Sequence, residues 1–384
     1  MDQKTAALYL ARACMHVLRI FPVKEKKILF CSFTGKSINC NPMYFNRFLL
    51  EYASAEYEYV WVVNDPERIF VPEDLKGKIR LVKAGSPAYF RELATAGIVI
   101  YNVGLPSGSL VPKRKTQIWV DTWHGGGAFK AADMNAEKTP VRQAIDRMIG
   151  RQIDIFLSSN RVFTEQVSRA MQVKLSHFQP TGLPRNDLFF RDSMCRDKVR
   201  KALGIPEEQK LFLYAPTFRG NFLHAKEAEA IDYEAVKEAL EERFSGNFAV
   251  LERKHHAVQA TETKGTYSAS DYPDMQELLA AADVLITDYS SCMWDFALTD
   301  KPGFLYFPDV RQFDRNKDFY TQPEEWPYEY AESTEALRQL ILSYDPEKAE
   351  KRRNAFFEKV GNYEKGTACA QLAELLKIKK KENR

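Results

Sequence analysis

QIWVDTWHGGGAFK, residues 117–130, passes from a nearly continuous apolar run into three glycines placed directly after a histidine. A half-solvated strand would alternate apolar and polar positions. This run does not, so it predicts a strand buried on both faces, as in a parallel sheet. Such runs recur at 27–33 (KILFCSF), 59–63 (YVWVV), 79–82 (IRLV), 97–102 (GIVIYN) and 153–159 (IDIFLSS). A second series follows at 210–218 (KLFLYAPTF), 248–256 (FAVLERKHH), 284–291 (VLITDYSS) and 303–308 (GFLYFP). Helix-periodic segments such as 233–244 and 274–282 lie between them. Strand and helix alternating twice over predicts an α/β chain of two doubly wound, Rossmann-like domains.

Length agrees, because 384 residues exceed one domain at about 100–200 residues each. The expected organisation is a basic amphipathic helix over 1–22, domains over 23–178 and 179–345, and a returning helix with a basic tail over 346–384. The hinge is expected within 176–209, and 347–376 reads as helical. A net charge of +3 implies no nucleic-acid-scale field. Six scattered cysteines without a C-x-x-C pair suit a reducing compartment and give no zinc spacing. No run approaches the roughly 18–20 apolar residues of a spanning helix, and no secretory signal is visible. Near the N-terminus, Arg12, His16 and Arg19 fall on one helical stripe, with Leu8, Leu10, Met15, Val17, Leu18 and Phe21 over much of the rest. That pattern fits either an interfacial helix on anionic lipid or a helix packed on the first domain. The tail KIKKKENR (377–384) adds positive charge.

Ligands of open parallel sheets bind beyond the carboxyl ends of the strands, and the distinctive residues of this chain cluster there. His124 follows one strand; Thr217 and Arg219, His255 and His256, and Asp288 to Ser291 follow three others. Two facing domains would gather these ends around one cleft. Taken alone, His124 reads as a catalytic base, as part of an oxyanion hole, or as a buried histidine at a tight turn. The oxyanion reading of HGGG needs a G-x-S-x-G elbow, and the sequence has none. TGKS (34–37) imitates the end of a phosphate-binding P-loop, but Phe30 stands where its first glycine belongs. Neither G-x-G-x-x-G after the first strand nor H-E-x-x-H occurs, so no dinucleotide or metal site is expected.

What remains suits phosphoryl transfer. His124 has the right chemistry to take a proton, and Gly125, Gly126 and Gly127 would let a phosphate approach the backbone. Lys130 adds charge, and a helix expected to start at Ser290–Ser291 offers N–H groups to an anion. Plainer readings stand beside these: Ser290 and Ser291 as helix caps, Asp288 in an Asx-turn, Arg219 as a surface arginine, and PRND (184–187) as a simple turn.

The motifs TWHG (122–125), SSN (158–160), TGLPRND (181–187), YAPTFR (214–219), RKHH (253–256) and LITDYSS…DFA (285–297), in this order, resemble the CDP-glycerol glycerophosphotransferase family. These are the teichoic acid primases and polymerases of Gram-positive bacteria. The resemblance covers about residues 24–345 and implies a GT-B-like architecture, two domains facing across a cleft, without an essential metal or cofactor. It implies transfer of glycerol phosphate from CDP-glycerol to an acceptor hydroxyl, with CMP leaving. His124 would be the base, and His255 or His256 would assist the diphosphate. Arg219, Ser290 and Ser291 would hold phosphates, and Asp288 would orient the glycerol or ribose. Thr217, Arg185 and Arg253 join the substrate-binding candidates through the same motifs. Many members read HGTP where this chain has HGGG, which bears on acceptor choice. The short length resembles the primase type, whose acceptor is linked to undecaprenyl diphosphate. That implies a peripheral enzyme at the cytoplasmic face of the membrane. CDP-ribitol as donor, a sugar-transferring GT-B enzyme and a silent membrane scaffold are the competing readings.

Overall fold

The computed structural model describes residues 3–127, 139–191, 195–217, 219, 231–254, 265–310 and 321–381. The chain divides into two compact units. Unit 1 comprises Met1–His124, Asp133–Asp187 and Asn362–Arg384; unit 2 comprises Gly125–Ala132 and Leu188–Gly361.

Unit 1 is built on seven parallel strands: β1 (Lys24–Cys31), β2 (Glu58–Val63), β3 (Arg80–Lys83), β4 (Ala96–Tyr101), β5 (Ile118–Asp121), β6 (Ile155–Leu157) and β7 (Phe178–Gln179). Their order is β3-β2-β1-β4-β5-β6-β7, so the strand order reverses between β1 and β4. Such a reversal opens a crevice at the carboxyl edge of the sheet. Unit 2 repeats the plan with β8 (Lys210–Ala215), β9 (Phe248–Glu252), β10 (Tyr267–Ser268), β11 (Val284–Thr287), β12 (Gly303–Tyr306) and β13 (Tyr330–Ala331). Its order is β10-β9-β8-β11-β12-β13, with the reversal between β8 and β11. The α/β, doubly wound class expected from the apolar runs is what the chain adopts.

Several strands stop short of the runs that announced them, whereas β1 and β2 begin ahead of theirs. The run 117–123 leaves the ladder at Asp121, because the Asp121 carboxylate accepts the Trp123 N–H at 2.9 Å and turns the chain. The edge strands β7, β10 and β13 have two residues each and carry no apolar run of their own.

One face of the unit 1 sheet, with Ile28, Phe30, Trp61, Ile98, Ile100 and Val120, packs against helix Cys40–Tyr52 and helix Ala368–Leu375. The stretch 347–376 is therefore split. Helix Pro346–Val360 belongs to unit 2, whereas helix Ala368–Leu375 completes the core of unit 1. In unit 2 the equivalent core joins Phe212, Tyr214, Val250 and Ile286 to Leu240, Leu337 and Ile341 from flanking helices.

The N-terminal segment is an α-helix over Gln3–Cys14 continued by a 3-10 helix over Met15–Ile20. Arg12 leaves the anticipated basic stripe and turns inward to the Ser109 carbonyl and to Gln152 Oε1. Leu10, Val17 and Ile20 stay exposed. Among the described residues no helix is long and apolar enough to cross a membrane.

Leu372 is fully buried in the unit 1 core. Leu372→Ala is expected to cost about 2–5 kcal/mol, read as a lower urea midpoint for unit 1 unfolding. A loss below about 0.5 kcal/mol would show that the C-terminal helix contributes little to that core.

Candidate active site

In unit 1 the strand ends on either side of the reversal hold His124. Its carbonyl accepts Arg185 Nη1 at 2.8 Å, and its Nδ1 lies 3.3 Å from the Asn102 carbonyl, just past β4. A carbonyl oxygen can only accept, so Nδ1 carries the proton and Nε2 keeps its lone pair. The imidazole sits edge-on to Phe33, at 5.9 Å between centroids, and 4.6 Å from the Trp123 ring. Burial pushes the His124 pKa down to about 4, the charge of Arg185 adds to this, and the Asn102 carbonyl opposes it. His124 is therefore neutral at pH 7, a proton acceptor with its tautomer set.

The backbone around it is held in unusual conformations. Trp123, Phe33, Thr34 and Cys40 all have left-handed φ angles, of 53°, 45°, 54° and 59°. Each costs about 1 kcal/mol or more without glycine, and such residues gather where a surrounding network over-determines them. Asn41 supplies that network. Its fully buried Nδ2 donates to the Thr122 and Trp123 carbonyls at 3.0 and 2.9 Å, and its Oδ1 accepts the Arg185 N–H at 3.1 Å. One carboxamide thus ties the loop after β5 to the loop carrying Arg185.

The PRND segment is not the simple turn its composition suggested for Asn186 and Asp187. Both are buried. Asn186 donates to Glu364 at 2.9 Å, and Asp187 accepts the Ala368 and Cys369 N–H groups at 2.9 Å each. Asp187 thereby caps the helix that completes the core, which is why these polar groups can be buried. Asp121 is also buried, which raises its carboxyl to about 7 against the Trp123 N–H.

In unit 2 the strand ends beside the β8/β11 reversal are tied by one ion-pair cluster. Asp288 Oδ1 accepts the Thr217 N–H and hydroxyl at 2.8 and 3.0 Å, while Oδ2 accepts Arg219 Nη1 at 2.7 Å. Arg219 also pairs with Asp309, donates to the Thr217 carbonyl at 3.0 Å, and stacks 5.2 Å from the Tyr289 centroid. Burial pushes the Asp288 carboxyl up, and the Arg219 charge opposes it. Burial would lower Arg219, but Asp288 and Asp309 outweigh this and raise it. Asp288 is thus a strut between loops rather than an open carboxylate, and Arg219 is no ordinary surface arginine.

Ser291 is the N-cap residue of helix Cys292–Phe296, and its side chain makes no capping bond. Ser290 Oγ accepts the Cys292 N–H at 3.4 Å. The glycines of HGGG have a packing reason that composition did not show. A Cβ on Gly125 would lie 3.2 Å from Ser291 Oγ, and one on Gly127 would lie 2.4 Å from Trp294 Nε1. Gly126 sits between these two close approaches. Arg253 is drawn into structure: Nη1 donates to the Ala269 and Tyr272 carbonyls at 3.0 and 2.7 Å, and burial lowers its pKa. Its described partners organise the loop after β10. Lys130, His255 and His256 lie outside the described residues. Among the described residues no three His, Cys, Asp or Glu side chains cluster as metal ligands.

Sequence reading missed Asn41, Asn102, Asp121 and Asp309. Asn102 ends a quoted strand and Asn41 stands in NCNP (39–42), a turn-rich string whose value depends on contacts distant in sequence.

Two parallel sheets of this order, each with polar strand ends at its reversal, define a GT-B-like α/β enzyme class. The whole chain is similar in fold to the solved structure of the wall teichoic acid polymerase TagF, with a TM-score of 0.79 at 25% identity, covering 98% of this chain and 93% of that one. Residues 13–377 match the CDP-Glycerol:Poly(glycerophosphate) glycerophosphotransferase family, and the chain belongs to that family of transferases. It is 29% identical to a teichoic acid poly(glycerol phosphate) polymerase of Bacillus spizizenii over 94% of both chains. It is 30% identical to the Bacillus subtilis protein of that description, over 83% of this chain but 44% of the relative. This chain thus matches nearly the full length of one such relative and less than half of another.

Asn41→Ala removes two buried donors and an acceptor at once, and should destabilise unit 1 by about 2–4 kcal/mol in urea denaturation. A change below about 0.5 kcal/mol would remove Asn41 from its bridging role.

Proposed function

We propose that the protein transfers glycerol phosphate from CDP-glycerol to a hydroxyl of a membrane-linked acceptor, a teichoic acid linkage unit or related cell-surface polymer, releasing CMP. The observation that carries this reading is His124: a neutral imidazole beyond the carboxyl end of β5, with Nδ1–H on a backbone carbonyl and Nε2 left to accept a proton. In the proposed step Nε2 takes the acceptor hydroxyl proton as that oxygen attacks the β-phosphorus. The bond from the β-phosphorus to the CMP oxygen breaks, and CMP leaves. Arg185 acts by holding the His124 carbonyl rather than by touching the chemistry.

On the donor side the proposal assigns the diphosphate to the Thr217, Ser290 and Ser291 hydroxyls and nearby backbone N–H groups of the loop through Gly125 and Gly126. Arg219, with Nη1 3.2 Å from the Thr217 hydroxyl, supplies positive charge, and Asp288 and Asp309 hold its plane. Lys130 and one of His255 and His256 are assigned to the phosphates and the departing CMP by motif alone. Arg253 serves by shaping the β10 loop. The reading assigns no metal or cofactor. Such catalysis is positioning plus electrostatic stabilisation.

The proposal also places the enzyme on the cytoplasmic face of the membrane as a peripheral protein. The exposed Leu10, Val17 and Ile20 of the N-terminal segment support this.

His124→Gln should lower CMP release from CDP-glycerol with acceptor by about 100-fold or more, while calorimetry finds the affinity for CDP-glycerol within a few-fold of wild type. Near-normal turnover would remove His124 as the base. Faster CMP release from CDP-ribitol, or UDP release from UDP-sugars, would replace the donor assignment.

A further inference from the structure

We propose that a basic cavity at the amino-terminal edge of the unit 1 sheet is a binding site for the phosphate of an anionic lipid headgroup. The cavity has a volume of about 360 Å³, and Arg12, Lys113, Arg114, Lys115, Arg147 and Arg151 line it without an acidic side chain among them. Its size falls at the lower end of small-molecule sites, which suits a headgroup.

Most of these cations are fixed by partners that leave their charge in place. Arg12 is held by the Ser109 carbonyl and by Gln152 Oε1, the latter at 2.7 Å. Arg114 Nη2 donates to the Leu18 carbonyl at 2.8 Å, and Arg147 Nε to the Gln143 carbonyl at 3.2 Å. Lys113 alone meets a carboxylate, Asp154, at 2.6 Å. Lys115 and Arg151 have no carboxylate partner among the described residues. The Gln152 amide organises the wall of the same cavity. Gln152 lines the cavity and is 4% exposed, and its Nε2 has no hydrogen-bond partner among the described residues. Its Oε1 accepts from Arg12 Nη2 and from the Lys113 N–H, so the amide orientation is set and the donor end is unused.

Topology separates this site from the chemistry. Lys113–Lys115 precede β5 and Arg147–Gln152 precede β6, whereas His124 follows β5. In a parallel sheet these are opposite edges, with the full length of β5 between them. Exposed apolar residues on the adjoining N-terminal segment point to a lipid as the source of the phosphate. Tyr9 lines the cavity, and beyond it Leu10, Val17 and Ile20 are 68%, 62% and 73% exposed on the segment that Arg114 ties to the cavity. Apolar side chains beside a cluster of fixed cations match a bilayer interface carrying phosphate headgroups.

The inference rests on the membrane reading above and is tested separately from it. The full-length protein is sedimented with phosphatidylcholine vesicles with and without phosphatidylglycerol, and glycerol 3-phosphate is titrated by calorimetry. Wild type should bind the phosphatidylglycerol vesicles at least about tenfold more tightly than phosphatidylcholine alone. Lys115→Glu/Arg151→Glu should lose that difference, as should Lys115→Gln/Arg151→Gln to a smaller degree, with CMP release in detergent unchanged. Glycerol 3-phosphate heat in wild type that is lost in either variant supports a discrete pocket. Equal binding of both vesicles by wild type overturns the proposal and leaves the membrane reading standing, whereas binding of neither overturns both. Preference for phosphatidylglycerol retained in both variants overturns the pocket alone. Saturable glycerol 3-phosphate binding without vesicle preference overturns the lipid source.

Discussion

A single buried carboxamide, that of Asn41, sets the geometry on which the rest of the candidate active site depends. Two loops that leave the sheet of unit 1 at different strands are joined through its two ends. Together with the Asp121 carboxylate on the Trp123 N–H and Arg185 on the His124 carbonyl, those bonds keep Trp123 at a φ of 53° and present His124 to the Asn102 carbonyl. Four non-glycine residues in the left-handed region represent several kcal/mol of stored backbone strain. The helix Ala368–Leu375, capped by Asp187, supplies much of the packing that offsets it. Stability in the core and order in the site are thus linked through one short polar segment, 185–187.

The two units solve different electrostatic problems with one topology. Beside the charged Arg185, unit 1 holds a histidine without charge and a carboxyl raised toward neutrality. Unit 2 keeps formal charges, with Arg219 between Asp288 and Asp309. A proton acceptor is best kept uncharged in the resting enzyme, and a diphosphate is best met by a rigidly held cation.

Much of the fold was legible because strands buried on both faces leave near-continuous apolar runs, as at 59–63 and 117–123. The two-residue edge strands β7, β10 and β13 were not, since a short edge strand buries too little to mark the sequence. His124, Arg219 and Asp288 stood out as polar residues at strand ends. Their partners did not, because Asn41 meets the Thr122 carbonyl across 81 positions, and Arg219 meets Asp309 across 90. HGGG was visible, but its first and last glycines also make room for Ser291 and Trp294, a packing demand that spacing does not reveal. Arg253 matched a motif, yet its described partners are backbone carbonyls.

His124 is held neutral, with its proton on Nδ1. Nitrogen NMR of histidine-labelled protein, titrated with acid and assigned through His124→Gln, reads both the tautomer and the pKa. A folded-state pKa below the unfolded value means that protonation is resisted, and the stability tied to the neutral ring is lost as pH falls from about 6.5 through about 4. The expected result is an Nδ1–H tautomer that stays neutral well below pH 6 and titrates near 4. A resonance with the proton on Nε2, or titration near the ordinary histidine value of about 6.5, would contradict it.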